Sequence, residues 1–504
     1  MATGRRYHGG VGKKSRHSAS KAGAAARSGA VSPGGGPDDG LEGALAELWT
    51  AVAAGDVLEA EYQASAIVAL PELTDRSPEE AERVADALVS ATSEHSPRSE
   101  AAAFFRLLMS LGPRPVKRAA SRGLADCTED GIYPPSWVTA IGRPDLGRAL
   151  RQCNVFGEHE FVAVTFGYDG TEHALLVGID HTELPAVDMV AVSDEPDGML
   201  KSLEEHAQSH QRFTEITLAE ARRRIEGPLA KAADDPDFDL DESTLLFLPL
   251  ARSRVRRLPA GDPGQAVAYT AADRAVAVEE FLGSPEAADA GDPDVARFWA
   301  TVLTGYGSRV PDEPPAQVGP HRIGVMLLAH VASTFTLTTA QRDGMEPAVT
   351  AWTRWAARRQ GLDEAATDKV MTSLAETLDA FPEEYDGGYA TASRSYLSDV
   401  ATPDVDLSWL ADQRARREFA APILENHDPA VDGDGTTPKG RAAMALAEFS
   451  ECGDGGTDTI KLLTAVPRIV EELWHDNPTT TWEKAKRLLA EGHDRHDVIH
   501  RLAG

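Results

Sequence analysis

The sequence predicts a mainly α fold with a small α+β domain, in which helical arrays flank a sheet centred on a β-hairpin. Three observations carry that prediction. Through most of the chain apolar residues recur at three- and four-residue spacing, the period of a helix buried along one side. One stretch breaks that rhythm: Glu160 to His181, EFVAVTFGYDGTEHALLVGIDH. Its two runs of β-branched and aromatic residues flank Asp169-Gly170, a strong hairpin signal. Composition agrees, because 42% of residues are hydrophobic but only 6% are aromatic. Cores built from Ala, Leu and Val suit close-packed helices better than a large sandwich.

From the N-terminus, residues 1–40 read as a disordered basic tail. Arg5, Arg6, Lys13, Lys14, Arg16, Lys21 and Arg27 all precede the first acid, Asp38. The residues between them are mostly Gly, Ala and Ser, too little apolar surface to offset the entropy of ordering. A basic arm gains affinity for nucleic acid by releasing counterions, so contact with nucleic acid or a ribosome is one reading. A solubilising leader, or a tail folded back on the acidic body, is the other. No apolar h-region follows the basic start, so no signal peptide is expected.

Residues 41–150 read as a helical domain of the HEAT or TPR kind, without a fixed repeat period. Leu41, Leu45, Leu48 and Val52 open the pattern, and Ala60, Ala64, Ile67 and Val68 continue it. Tyr133-Pro134-Pro135 interrupts it, and a short helix near Asp145 to Arg151 is expected to lead into the hairpin. Residues 151–258 form the α+β domain around the hairpin at 161–180. With a two-residue turn, residues whose numbers sum to 339 face each other. Val162, Val164 and Phe166 then share a face with His173, Leu175, Val177 and Ile179, while Phe161, Ala163 and Thr165 share the other with Ala174, Leu176 and Asp180. Both faces are largely apolar, so both are expected to be covered. Val187 to Ser193 supplies a third strand, and Gly198 to Gln211 and Leu218 to Ala232 supply helices, the second capped by Thr217. Leu245 to Leu258 fits either a strand broken at Pro249 or a helix.

Residues 259–425 read as a second helical domain, with helices over 265–282, 293–304, 339–359 and 362–381, the last capped by Asp363. A linker at 426–440 precedes a C-terminal helical module, 441–504, with helices over 460–475, 481–491 and 495–502.

The net charge of −30, from 80 acids against 50 bases, repels nucleic-acid phosphates and anionic membranes over most of the surface. Any nucleic-acid contact is therefore expected through the tail only, and no membrane contact is expected. Cys127, Cys153 and Cys452 lie far apart with no CxxC, which fits a reducing, cytoplasmic setting. Nucleotide-binding signatures are absent: neither GxxxxGK[ST] nor GxGxxG occurs, and there is no GxSxG elbow. Asp432-Gly433-Asp434-Gly435 lacks the downstream spacing of a calcium loop. No cofactor is expected.

Three clusters remain as candidates. His496-Asp497-Val498-Ile499-His500 reads HDxxH, with two histidines on one helical face that could bind a metal, His475 or His493 completing the set. Against this, Asp494 suits a helix N-cap with Asp497 in the first turn, which accounts for both acids by helix electrostatics. Glu158, His159, Glu160, His173, Asp180 and His181 crowd the hairpin; pairing sets His173 against Phe166 and leaves His159 with Asp180 as the open pair. Arg252, Arg254, Arg256 and Arg257 form a dense basic run, suited to an anion or to salt bridges with acidic neighbours.

Gly492, Asp494, Arg495, His496, Ile499 and His500, after a helix carrying Trp482, resemble a short motif that ends small bacterial proteins of unknown function. The segment from Ile323 to Phe381, with TAWTRWA at 350–356, is similar to a helical module in uncharacterised actinobacterial proteins. Neither resemblance brings an activity with it. The expectation is a cytoplasmic helical scaffold or adaptor for another protein, with a metal-dependent hydrolase using His496 and His500 as the alternative.

Overall fold

The computed structural model describes residues 37–70, 78–95, 98–182, 185–205, 211–234, 240–260, 269–307, 314–423, 434–449, 457–491 and 493–503. Residues 1–36 of the basic tail, Cys452, Asp432, Gly433 and Gly492 lie outside the described residues, whereas Pro37–Gly40, expected to be part of the disordered tail, begin a helix. The fold is mainly α with one five-stranded antiparallel sheet. The chain divides between Pro263 and Gly264 into two compact units.

Among the described residues of the first unit, five helices precede the sheet, α1 (Pro37–Ala54), α2 (Val57–Val68), α3 (Pro78–His95), α4 (Arg98–Leu111) and α5 (Arg114–Glu129). Asp56 caps α2 by accepting from the Glu59 amide, at 3.1 Å. The sheet follows, with β1 (Asp145–Asn154), β2 (His159–Tyr168), β3 (Thr171–Asp180), β4 (Ala186–Ser193) and β5 (Gln211–Ile216) in the order β4-β3-β2-β1-β5. α6 (Pro196–Glu205) precedes β5, and α7 (Leu218–Asp234) and α8 (Glu242–Arg257) close the unit.

The hairpin register is the one the turn requires. Val162 opposes Val177, Phe166 opposes His173 and His159 opposes Asp180. Asp169 and Gly170 both take positive φ, 47° and 89°, as a type I′ turn demands. One face carries Val162, Val164, Phe166, Leu175, Val177 and Ile179 into the main core; the other packs Ala163, Leu176 and Ala191 against Leu200 and Leu203 of α6.

Two expectations need correction. The segment from Asp145 to Arg151 is not a helix but the start of β1, paired with β2 on one side and β5 on the other. Its Leu, Ala and Arg residues favour a helix locally, but the sheet supplies cross-strand partners that outweigh propensity. A bulge between Leu146 and Ala149 fits it to β2. There the Arg148 amide donates to Thr165 Oγ1 at 2.9 Å, and a Cβ on Gly147 would lie 2.2 Å from that oxygen, so only glycine admits the approach. The helix expected over Gly198 to Gln211 ends at Glu205, and Gln211 begins an edge strand that polar residues had concealed.

Leu245 to Leu258 is helical, with Pro249 inside α8. Proline disturbs the ladder of the preceding turn, and Ser65 of α2 repairs it: its hydroxyl donates to the Leu246 carbonyl at 2.7 Å and accepts from the Leu250 amide at 3.2 Å. One apolar core runs from Leu48 in α1 through the α2–α5 helices and the sheet to Leu258, without a break at residue 150.

The described elements of the second unit are all helices. It comprises α9 (Ala271–Leu282), α10 (Pro293–Gly307), α11 over 320–334 with a π-helical stretch at Val325–Val331, α12 (Thr339–Asp343), α13 (Met345–Gln360), α14 (Glu364–Asp386) and α15 (Gly388–Leu397). α16 (Leu407–Ala420), α17 (Pro438–Phe449), α18 (Thr457–His475), α19 (Thr479–Ala490) and α20 (Arg495–Ala503) complete it. The single helix expected over 339–359 is two, parted at Gly344. Asp363 caps α14 and Asp494 caps α20, as their positions imply. Among the described residues no helix is long and apolar enough to cross a membrane.

Candidate functional site

Glu61, His173 and Arg254 are fully buried and meet where α2, α8 and the hairpin converge. Glu61 lies one helical turn before Ser65, on the face of α2 turned to α8. Arg254 lies one turn after Leu250 on the matching face of α8. Its Nη2 donates to Glu61 Oε2 at 2.6 Å and its Nε to His173 Nε2 at 3.0 Å. Tyr168 Oη donates to the same carboxylate oxygen at 3.0 Å, and the Gly142 amide donates to Oε1 at 2.8 Å. The guanidinium also lies over the Phe166 and Tyr168 rings, at 5.8 and 5.3 Å, and the imidazole is stacked on both.

The electrostatics follow from this geometry. Burial, reinforced by the charge of Arg254, pushes His173 down to about 3, so the ring is neutral. Because Nε2 accepts from Arg254, the ring proton is assigned to Nδ1. Burial opposes the charge of Arg254, but Glu61 outweighs it and raises its pKa. Burial likewise raises the hydroxyls of Tyr62 and Tyr168. A neutral histidine that gives up its proton affinity, beside a carboxylate already accepting three donors, is no general base. The arrangement locks the core. It also corrects the placement of Arg254 as an anion contact: the apolar face of α8 carries it inward with Leu250, Ala251, Val255 and Leu258.

A second cluster lies at the other end of the same sheet face. Glu160 is 2% exposed, and its Oε2 accepts from Arg151 Nε at 2.6 Å and Arg224 Nη1 at 3.2 Å. His181 Nε2 lies 3.2 Å from Oε1. Burial favours protonation of Glu160, but the hydrogen bond from His181 and the charges of Arg224, His181 and Arg151 outweigh it and hold the carboxyl at about 2. Of the candidate hairpin group, Glu160 and His181 therefore come together. Asp180 turns instead to the amide and hydroxyl of Thr182, both at 2.7 Å, and His173 belongs to the first cluster. Arg151 is hidden in the sequence because its segment favours a helix locally, and Arg224 because nothing local ties α7 to β2.

The C-terminal histidines are held by structural contacts. His496 stacks on Phe449, with centroids 4.3 Å apart and planes 9° apart, and its Nδ1 lies 3.9 Å from Glu448. The His500 ring is exposed, with its centroid 6.3 Å from that of His496. His475, at the end of α18, lies 3.5 Å from Glu471, and the His493 amide donates to the Leu488 carbonyl. Among the described residues no group of three or more His, Cys, Asp or Glu side chains is placed to hold a metal ion. Arg5, Arg6, Lys13, Lys14 and Arg16 lie outside the described residues. Arg256 and Arg257 are exposed at the end of α8, where Arg256 joins burial in lowering the pKa of Lys117.

In the second unit, an open groove of about 380 Å³ separates α13 from α14. It is lined by Glu346 and Thr350 of α13 and by Met371, Leu374, Ala375, Leu378 and Asp379 of α14. The α14 residues fall at the i, i+3, i+4, i+7 spacing of one helical stripe. Below α6 in the first unit a smaller depression, lined by Leu150, Phe161, Leu200, Leu203 and Phe213 among others, encloses only about 10 Å³. Comparison of the chain with family models, with curated proteins and with solved structures returned no match.

Two outcomes are expected from the first cluster. Glu61→Leu or Arg254→Met alone should each cost about 3–5 kcal/mol in urea unfolding, because each leaves a buried charge without its counter-charge. The double variant should cost less than the sum, and strict additivity would show the pair to be uncoupled. In addition, His173 takes its proton in the unfolded chain near pH 6.5 but in the folded chain only near 3. Stability should therefore fall as pH drops through 6.5 toward 3, by about 1.4 kcal/mol per pH unit from this group. His173→Gln, which keeps an acceptor for Arg254, should flatten the stability curve between pH 6.5 and 5; an unaltered slope would rule the group out.

Proposed function

We propose that the protein is a non-enzymatic cytoplasmic scaffold or adaptor, which binds a protein segment in the groove between α13 and α14. The groove is the observation that carries this reading. Met371 and Leu378 remain partly exposed along it, so apolar surface stands open where a partner's side chains would remove it from water. The charged clusters of the first unit support the same reading. Their carboxylates and guanidinium groups are occupied with one another, which suits a rigid support. The three cysteines, far apart in sequence with no CxxC, fit a reducing compartment.

A photo-reactive benzoyl-phenylalanine at Ala375, in the groove, should give a discrete protein adduct in cells. The same group at the exposed Ala275 on α9 should not, and Leu378→Arg should abolish the adduct. Equal adducts from both positions would remove the groove from the reading. Stoichiometric Zn²⁺ or Mn²⁺ in the purified chain, lost in His496→Ala, would instead support the hydrolase.

The basic tail adds a second contact, with nucleic acid or a ribosome, supported by seven Lys and Arg residues before the first acid. Deleting residues 1–37 should remove salt-sensitive co-purification of nucleic acid. Nucleic acid retained at the same level and with the same salt dependence would mean that the tail does not bind it.

A further inference from the structure

We propose that the occupant of the α13–α14 groove is an amphipathic helix from a partner protein, apolar along one stripe and carrying lysine or arginine where it passes Glu346 and Asp379. This rests on the reading of the groove as a protein-binding site and names what fills it.

The first argument is from backbone chemistry. Apart from the first turn of α13 and the break at Pro382, the amides and carbonyls of α13 and α14 are spent within their own helices, so the groove walls offer mainly side chains and no continuous ladder to an extended strand. A helix brings its own hydrogen bonds satisfied and presents a ridge of side chains. Leu374 is buried, while Met371, Ala375 and Leu378 remain at least partly exposed around it, a row into which such a ridge packs at the 8–10 Å separation of neighbouring helices.

The second argument is from charge. Glu346, near the start of α13, and Asp379, toward the end of α14, line the same groove, so the two helices run antiparallel and bring both carboxylates to one end. Both side chains are exposed, and neither has an ion pair among the described residues. Glu346 is favoured in the first turn of its own helix by the macrodipole. Asp379, well inside α14, has no such local reason. An incoming cation would neutralise both, while an acidic segment would be repelled by them and by the net charge of −30.

The test uses the full chain and three fluorescent peptides of about 16 residues. One is helical, with leucines at i, i+3, i+4 and i+7 and lysines in its terminal turns. The second replaces those lysines with glutamate. The third has the composition of the first with the leucine stripe scrambled. Anisotropy titration should show saturable binding of the first and binding at least about tenfold weaker for the other two. Glu346→Lys combined with Asp379→Lys, both at exposed positions, should reverse the preference toward the glutamate peptide. Equal binding of all three peptides, or an unchanged preference in the charge-reversed chain, would overturn the proposal. If no peptide binds while Ala375 still yields its specific adduct, the groove binds protein but not a basic helix. If the adduct is absent as well, the scaffold reading itself fails.

Discussion

The first unit depends on one buried ion pair. Arg254 and Glu61 lie fully buried in the core of the first unit, and neither charge tolerates that position without the other. Their pairing fixes how α2 lies on α8. The repair of the Pro249 kink by Ser65 belongs to the same seam, because Glu61 and Ser65 are one turn apart on α2 and face Leu246, Leu250 and Arg254 on α8. Through His173 and Tyr168 the pair also grips the hairpin at its turn end. Two helices far apart in sequence and a sheet are thus held by a single guanidinium.

The second unit solves a related problem with the same group. A helix ends with carbonyls that have no partner of their own. Arginines from other helices satisfy them. Arg416 donates to Leu473 and Trp474 at the end of α18, Arg417 to Tyr396 at the end of α15, and Arg394 to Tyr385 at the end of α14 and Ala332 at the end of α11. Arg495, within the C-terminal motif, donates to Phe419 and Ala420 at the end of α16 and pairs with Glu448. With His496 on Phe449, and Val498 and Ile499 in the core, most of that motif acts in holding α20 to its neighbours.

These uses of charge bear on function. The buried Glu61–Arg254–His173 trio and Glu160 beside His181 are each set into fixed ion pairs and hydrogen bonds that join elements of the first unit. In the proposed reading, recognition falls to surfaces where apolar area and charge are left open. The α13–α14 groove has both, with its leucine and methionine stripe ending at two carboxylates.

The sequence by itself determined what depends on neighbours along the chain. It determined the register and both faces of the hairpin through Asp169-Gly170, and the caps at Thr217, Asp363 and Asp494. It also determined most of the helices, because three- and four-residue spacing reports burial along one side. The tertiary structure alone decided the rest. β1 became a strand against its local propensity, since its partners are supplied by β2 and β5. Arg254, outwardly one of four similar arginines, became the buried one because Glu61 waits 193 residues away. The groove is likewise invisible in sequence, for an apolar stripe on α14 reads as core until the packing shows that Leu374 is buried while Met371 and Leu378 stay partly exposed. Local rules fix dihedrals and faces; which faces meet, and which charges find each other, is settled only when distant segments pack.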